Sequence, residues 1–397
     1  MRTRRVLSFG NFFASAHFFL FISVLAPYLA TLMPASDTGF VISFGAVITL
    51  SVFPFVPRIV GRFGPQRVAL ALAIAEALVL LGLALSPGLV MILVLSALAC
   101  AISPVLAYQL DLLLEATVRS EQETGRIRTA FLTAGNIALL VSPLVIGTLL
   151  DGGDRYDRVF FIASLSLVPF ILVMFGARLP QGHIPVTRNL GEAFRNAWND
   201  TDLRAVAVSM FMLQLFYHLV PLYIPLYLHT VLGIPWSELG WVFALMLVPF
   251  VLIEYPAGIL ADTRLGDRTL LIAGFAITGL SFALIATITV QTSIIVILLI
   301  LIATRVGAAL VEAMVEGHFF RRVSEQDTGT VGVFRMMRPI GALIAPLAGS
   351  LFLLASTYQE LFICMGLAIT IIGMMVASAV RSFRPVRTVT HAEPEHV

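Results

Sequence analysis

The sequence predicts an all-α membrane protein in which twelve transmembrane helices form two pseudo-symmetric bundles of six. Three observations predict this fold: the composition, the number of long apolar runs, and an internal repeat. Of the 397 residues, 59% are hydrophobic and 12% are charged, about half the charged fraction of a soluble globular chain. Most of the surface is therefore expected to face lipid.

Twelve apolar runs are long enough to cross a bilayer, which takes about 20 residues in a helix. The runs are 8–32, 39–60, 68–85, 88–114, 130–150, 159–177, 206–231, 237–261, 270–290, 293–314, 332–355 and 361–380. The first run is too long for the core of a signal peptide and has no small-residue cleavage site. It is therefore predicted to be the first span.

A polar stretch at 178–204 is the only long hydrophilic interruption, and six runs lie on each side of it. We expect a six-helix bundle at 1–178, a cytoplasmic linker at 179–204 and a second six-helix bundle at 205–383. The linker is predicted to hold a short helix around 190–198 that lies at the membrane boundary. A cytoplasmic tail at 384–397 is too short and polar to fold alone.

One short string occurs twice, as SEQETG at 120–125 and as SEQDTG at 324–329. The copies lie roughly half the chain apart, and each is followed by a span with a proline and small residues. These are Pro143 and Gly147 in the fifth span and Pro346, Gly349 and Ser350 in the eleventh. Copies with the same direction, six spans apart, predict two bundles related by an axis along the membrane normal.

The arginines predict the orientation, because cytoplasmic loops carry an excess of basic residues. Of the arginines that flank the spans, only Arg155 and Arg158 fall on the side opposite the termini. Both termini are therefore expected in the cytoplasm, and the protein is expected to be a multi-pass protein of the cytoplasmic (inner) membrane.

The loop after the eighth span, GILADTRLGDR at 258–268, resembles the signature of the major facilitator superfamily, with one extra residue before the second glycine. The loop after the second span keeps Arg62 and Gly64 but has Gly61 where the family has an aspartate. The resemblance covers nearly the whole chain through the spans, the central loop and the repeat. It implies a secondary transporter whose two bundles rock about a site in the middle of the membrane.

The same resemblance implies a cytoplasmic gate. An aspartate beside arginines at the cytoplasmic mouth forms charge-assisted contacts that hold the two halves in one state. The gate residues we expect are Asp262, Arg264, Arg268, Arg62, Gly258, Arg335 and Arg338, with Asp262 as the main clasp. Gly258 is expected to allow a close helix approach. A cluster that serves only membrane topology is the alternative for these arginines.

The proline–glycine strings of the fifth and eleventh spans resemble, in degraded form, the antiporter motif of the family's drug exporters. The copy in the fifth span lacks the first of the paired glycines, and the fourth span lacks the arginine of proton-coupled exporters. A packing and hinge role is therefore favoured over an antiport signature.

Charges inside the tenth span are the main functional signal, since ionisable groups in the bilayer are costly. Arg305, Glu312 and Glu316 share one helical face, which is predicted to line an internal cavity. Arg305 is the deepest and is a candidate for binding a substrate anion. Arg335 is expected to partner Glu312 or Glu316. A static ion-pair network that braces two helices is the alternative.

Buried carboxylates suggest proton coupling, because a drier environment favours the protonated form. The candidates are Asp111, Glu254, Glu312 and Glu316. Asp111 and Glu115 alternatively serve only to cap the end of the fourth span. Glu76 is a further ionisable group, in the third span.

Polar side chains in the first and seventh spans are candidates for lining the substrate cavity. They are His17, Gln214, Tyr217, His218 and Tyr223. The alternative for each histidine is a packing role with its hydrogen bonds satisfied. The three polar groups at 214–218 are the stronger signal, since their exposure to lipid would be costly.

Taken together, these features predict a secondary active transporter that moves a small solute by alternating access, coupled to protons. Export of an amphipathic compound is favoured over import of a sugar or an organic anion, and a non-transporting membrane sensor is the alternative from another class. The chain has no Walker-type loop, zinc-ligand spacing or Ser/His/Asp set. We therefore expect no enzyme, cofactor, metal or nucleic-acid partner, and a monomer.

Overall fold

The computed structural model describes residues 2–85, 88–117, 121–177, 179, 190–323 and 327–381. Within these ranges, twelve helices are long and apolar enough to cross a membrane, which confirms the predicted number of spans. Most of the two repeat strings and the tail from 384 fall outside the residues or side chains described.

The first six spans alternate in direction and are joined by short connections. They are α1 (Arg2–Ala30), α2 (Thr38–Val52, continued by Phe53–Phe55 and Val56–Phe63), α3 (Pro65–Ala84), α4 (Leu89–Thr117), α5 (Glu121–Leu149) and α6 (Tyr156–Gly176). We call the end at which α1 begins the termini face and the other end the opposite face.

The last six spans repeat this arrangement. They are α7 (Thr201–Pro225, continued by Leu226–Val231), α8 (Trp236–Met246 and Val248–Leu260), α9 (Asp267–Leu284), α10 (Ile294–Arg322), α11 (Thr328–Leu353) and α12 (Tyr358–Ala377). A proline in the first turn of the second segment, at position 249, follows the break in α8 at Leu247, as expected for a residue that interrupts helical hydrogen bonding.

The pseudo-symmetry of the two bundles is clearest at two glycines. Gly64 ends α2 with φ 82° and ψ 150°, and Gly266 precedes α9 with φ 75° and ψ 157°. Only glycine adopts this region without strain. The two signature loops, aligned from sequence, therefore have the same backbone turn, and each turn leads directly into the next helix.

Inside each bundle, small residues let helices approach closely, as is common in membranes. In the C-terminal bundle, α9 packs against α10 and α12. A Cβ added to Gly274 of α9 would lie 3.1 Å from the carbonyl oxygen of Gly307 of α10. A larger residue at either position would separate these two helices.

The two bundles meet near the opposite face through α5 with α8 and through α2 with α11. In the first pair, a Cβ on Gly240 would lie 2.8 Å from both the Cα of Gly147 and the carbonyl oxygen of Pro143. The predicted packing role of the proline–glycine string in the fifth span is therefore confirmed.

The second pair of helices makes the equivalent contact. The backbone amide of Gly39 in α2 donates to Ser350 Oγ in α11 at 3.0 Å, and Ser43 Oγ donates to the carbonyl oxygen of Leu343 at 3.0 Å. At the rim of the same face, Asp154 Oδ1 lies 3.0 Å from His229 Nε2. Both proline–glycine strings thus lie where one bundle touches the other.

The predicted linker helix is confirmed as Leu190–Asn199. It packs against α11 and α7, which places it on the C-terminal bundle. Its rings of Phe194 and Trp198 are exposed and stacked at 5.5 Å. Asp200 ends the linker as the N-cap of α7, accepting hydrogen bonds from the amides of Asp202 and Leu203, which satisfies donors left free at a helix start.

Candidate functional site

Arg305 lies in the middle third of α10 and is 6% exposed. Its guanidinium carbon is 5.2 Å from the ring centroid of Phe216 in α7 and 5.9 Å from that of Phe250 in α8. These distances are within the range of cation–π attraction. The sequence prediction that Arg305 is a deep, interior charge is consistent with this placement.

The charge of Arg305 has no counter-ion among the described residues. Nε is sealed from water and has no hydrogen-bond partner there. A buried cation that lacks both an anion and its hydrogen bonds costs several kcal/mol, about the penalty of desolvating one ion. The packing of two aromatic rings offsets only part of this cost.

The carboxylate of Glu312 is hydrogen-bonded to a tyrosine and not to Arg305. Tyr217 Oη donates to Glu312 Oε2 at 2.5 Å, joining α7 to α10. Glu312 follows Arg305 by two turns of the same helix, a rise of about 10 Å. The carboxylate that shares the face of Arg305 is thus held by a tyrosine rather than by the arginine.

Glu316, one turn further toward the termini face, accepts a hydrogen bond from Arg338 Nη2 in α11 at 3.1 Å. Arg338 is more than half exposed and Glu316 about one third. Arg335, the partner expected from sequence for one of these two glutamates, lies half-buried one turn before Arg338. The charged stripe of α10 therefore runs from a sealed arginine to a solvated ion pair.

The other predicted cavity residues of α7 are only partly brought together. His218 Nδ1 lies 2.8 Å from the carbonyl oxygen of Gln214, so it bonds within its own helix. The Gln214 side chain is buried, and a Cβ on Gly341 of α11 would lie 2.7 Å from it. Tyr223 is fully buried nearer the opposite face and donates to the carbonyl oxygen of Pro346. These residues pack α7 against α11 in this conformation.

His17, the predicted cavity residue of α1, belongs to a separate cluster in the N-terminal bundle. Ser103 Oγ in α4 donates to Glu76 Oε1 in α3 at 2.8 Å and lies 3.5 Å from His17 Nε2. His17 Nε2 lies 3.8 Å from Glu76 Oε1. All three residues are in the middle third of their helices, and Glu76 is completely buried.

Two atoms of this cluster, Glu76 Oε2 and His17 Nδ1, are sealed and have no hydrogen-bond partner among the described residues. The sequence shows Glu76 only as an ionisable residue of the third span. A functional role could have been inferred from one feature: Glu76 is the only ionisable residue in 68–85. Its pairing with Ser103 and His17 depends on three helices meeting and has no trace in the sequence.

The remaining coupling candidates are placed differently. The Asp111 side chain is exposed on α4, unlike that of Glu76. The side chains of Glu254 and Glu115 lie outside those that the structure describes. Among the predicted carboxylates whose side chains are described, Glu312 is the one that accepts a hydrogen bond from Tyr217.

At the termini face, Asp262 of the predicted gate bonds to Arg321 within its own bundle, at 3.0 Å. Arg264, Arg268 and Arg62 are exposed. A Cβ added to Gly258 would meet nothing within 4 Å. The close helix approach expected at Gly258 is therefore wrong for this conformation, because the neighbouring helices stand further away there.

A network that the sequence did not predict lies beside this loop. His318 of α10 places Nδ1 2.9 Å from Asp267 Oδ2 and Nε2 3.1 Å from Asp202 Oδ2. Arg321 also reaches Asp267, and Arg322 reaches Asp202 at 2.9 Å. Since both ring nitrogens face carboxylates, both must donate, so His318 is a cation here.

The same network reaches the linker through Asp200, whose Oδ2 accepts from Arg322 Nη2 at 2.6 Å. Partial burial alone would raise the pKa of Asp200, but hydrogen bonds from Arg322 and two backbone amides outweigh it and lower the pKa. The ionised Asp200 therefore ties the linker to the end of α10.

The described residues hold no group of three or more His, Cys, Asp or Glu side chains that fits a metal ion. The arrangement as a whole offers charge and hydrogen bonds at mid-membrane depth, one cluster in each bundle.

The family model of the Major Facilitator Superfamily matches residues 206–396. Two crystal structures of the nucleoside transporter NupG share the fold. A point mutant of NupG matches with a TM-score of 0.76 and 13% identity, covering 96% of this chain and 100% of that one. The unmutated protein matches with a TM-score of 0.74 and 14% identity, covering 96% and 99%. No curated protein matches the chain by sequence.

Proposed function

We propose that this chain is a transporter of the Major Facilitator Superfamily, whose family model matches residues 206–396, and that it moves a small solute by alternating access in exchange for, or together with, protons. The proposal places it in the cytoplasmic membrane with both termini inside. In this proposal, the two bundles are residues 1–178 and 205–383, and residues 179–204 are the linker that joins them.

Alternating access is supported by the one-sided contact between the bundles. Gly240 touches Gly147, and Gly39 touches Ser350, all near the opposite face. The ion pairs of Asp262 and of Glu316 at the termini face each stay within the C-terminal bundle. With the termini in the cytoplasm, this is an inward-facing arrangement. Arg62 of the N-terminal bundle is then free to meet Asp262 when the bundles rock to the outward-facing state.

The observation that carries proton coupling is Glu76. It is fully buried at mid-depth, and the only basic group within 4 Å of it in the described structure is His17. A carboxylate and a neutral imidazole together would leave a net charge in a low dielectric, which is costly. One proton, on either Glu76 or His17, removes that charge. We propose that this proton leaves when the bundles rock and water reaches the cluster.

Glu312 is the corresponding candidate in the C-terminal bundle, since Tyr217 supplies the hydrogen bond that an ionised carboxylate requires. Asp111, Glu254 and Glu316 remain candidates of lower rank.

For the direction of transport, export of an amphipathic compound is favoured over import. Because the sequence has no nucleotide-binding loop, uphill movement in either direction requires an ion gradient.

The first experiment is a ligand-stabilisation screen of the purified protein at two pH values, across amphipathic acids and amines, sugars and nucleosides. Nucleosides are included because the matched structures are described as nucleoside transporters. Solutes that stabilise are then tested for accumulation in proteoliposomes with and without a pH gradient. We expect accumulation to require the gradient and to be lost in Glu76→Gln, while Arg195→Gln, an exposed position of the linker helix, retains it. Equal accumulation with and without the gradient would dispose of proton coupling.

A further inference from the structure

We propose that Arg305 is the anchor for the carboxylate of an amphipathic monoanion, with the partly exposed ring of Phe250 as the wall for its apolar body. This inference rests on the proposed transport function and deepens it by naming a substrate class. It concerns only the C-terminal bundle and does not depend on where the proton is carried.

The first argument is the unused hydrogen-bonding capacity of Arg305. A guanidinium has five N–H donors in one plane, and the rings of Phe216 and Phe250 offer π faces but no oxygen. Nε is sealed from water without a partner. The terminal nitrogens are not sealed in this way, and no hydrogen bond joins them to a described residue. An acceptor with two coplanar oxygens, such as a carboxylate, would accept hydrogen bonds from these terminal nitrogens.

The second argument is charge balance. Glu312 is held by Tyr217, and Glu316 is held by Arg338. Neither glutamate neutralises Arg305, so among the described side chains one positive charge is left unbalanced in a low dielectric. A monoanion brings the site to neutrality, whereas a phosphate dianion leaves one negative charge and a neutral sugar leaves the positive one. The single charge favours a carboxylate over a phosphate.

The third argument is the composition of the surroundings. The rings of Tyr217 and Phe250 pack edge to face at 5.9 Å, and both are partly exposed, whereas Phe216 is fully buried behind the guanidinium. An aromatic or alkyl body fits such a surface, because burying apolar area is favourable. A charged head on an apolar body is the combination that both features of the site recognise.

The test uses the purified full-length protein and one matched pair of solutes, 4-phenylbutyrate and its neutral amide. We expect the acid to raise the thermal unfolding midpoint of the wild-type protein in a concentration-dependent way, as any ligand of the folded state does. The amide, which has the same body without the charge, should not. Arg305→Gln should weaken the apparent affinity for the acid about tenfold or more.

Two further variants keep the test decisive. Arg195→Gln removes an exposed cation of the linker helix, which packs on the same bundle outside the proposed anchor, and should respond to the acid like the wild type. Arg305→Lys keeps the charge but loses the planar fork, so it should respond more weakly than the wild type. If Arg305→Gln does not elute as a folded protein, the comparison of Arg305→Lys with Arg195→Gln decides.

Three outcomes would overturn the inference: equal stabilisation by acid and amide, an unchanged response in Arg305→Gln, or no stabilisation by any phenylalkanoate of two to six chain carbons. Stabilisation by phenyl phosphate in place of the acid would equally refute it. A solute that binds through Arg305 but is not accumulated under a pH gradient would leave the anchor intact and contradict only the transport proposal.

Discussion

Each bundle contains ionisable groups in the middle of its helices, but the surroundings of these groups differ between the bundles. In the N-terminal bundle, Glu76 is enclosed by Ser103 and His17 and has no exposed surface. In the C-terminal bundle, Arg305 lies between aromatic rings, with hydrogen-bond donors that no described residue uses. Under the function proposed above, this difference corresponds to a division of tasks, in which the N-terminal bundle holds a proton and the C-terminal bundle holds a solute.

The largest effect that tests this comparison is expected from Arg305→Met. Because Arg305 is buried and no described residue is its counter-ion, an apolar side chain of similar length should stabilise the folded protein, by about 1–4 kcal/mol. The same variant should lose its response to 4-phenylbutyrate. Thermal unfolding in detergent measures both. A destabilised Arg305→Met would mean that the arginine braces the bundle and would break the comparison.

In the N-terminal bundle, the opposite sign is expected. Ser103→Ala removes the donor to Glu76 and leaves a buried acceptor without its bond, which costs about 1–3 kcal/mol. Ser142→Ala is the matched control, because that buried hydroxyl bonds only to the carbonyl of Ala138 in its own helix. The unfolding midpoint should therefore fall further for Ser103→Ala. Equal losses in the two variants would indicate that Glu76 does not depend on Ser103.

A smaller effect is expected from Tyr217→Phe, which removes the hydroxyl that donates to Glu312. Both side chains are half-buried, so water replaces part of the lost bond and the cost should be about 0.5–1.5 kcal/mol. Binding of 4-phenylbutyrate should be retained, since the aromatic ring beside Phe250 remains. Loss of that binding would show that Tyr217 contacts the solute itself and would sharpen the assignment of the anchor.

The smallest effect is expected from Asp200→Asn, which serves as a reference outside the membrane-spanning segments. The pKa of Asp200 is lowered in the folded protein, so its ionised form contributes stability above the ordinary value near 4. That contribution is lost as the pH falls through the folded value. The unfolding midpoints of wild type and variant should therefore differ at neutral pH and converge in acid. A difference that persists in acid would assign the effect to helix capping.

The sequence was sufficient for the fold because its signals are local. Each span is a continuous apolar run, and the turn at Gly266 was recognisable in the signature loop and in its copy at Gly64. The depth of Arg305 also followed from its position along one helix. Those features depend on residues that are neighbours in the chain.

The pairings were not predictable, because they depend on which helices touch. His318 lies between Asp202 and Asp267, which belong to two other spans. Glu76 gains its role from Ser103 and His17 on two more. Hydrophobic periodicity shows that a side chain faces inward, but it does not show which polar partner it meets there.

The glycine contact between the bundles has a practical consequence. The backbones of Gly240 and Gly147 are so close that even one methyl group at Gly240 would collide with Gly147 and with the carbonyl oxygen of Pro143. Backbone atoms cannot move aside as a flexible side chain does. A methyl group at Gly240 would therefore push the two bundles apart at the opposite face. If the bundles alternate as proposed, alanine at this single position should favour the conformation in which the opposite face is open, without changing either charged cluster.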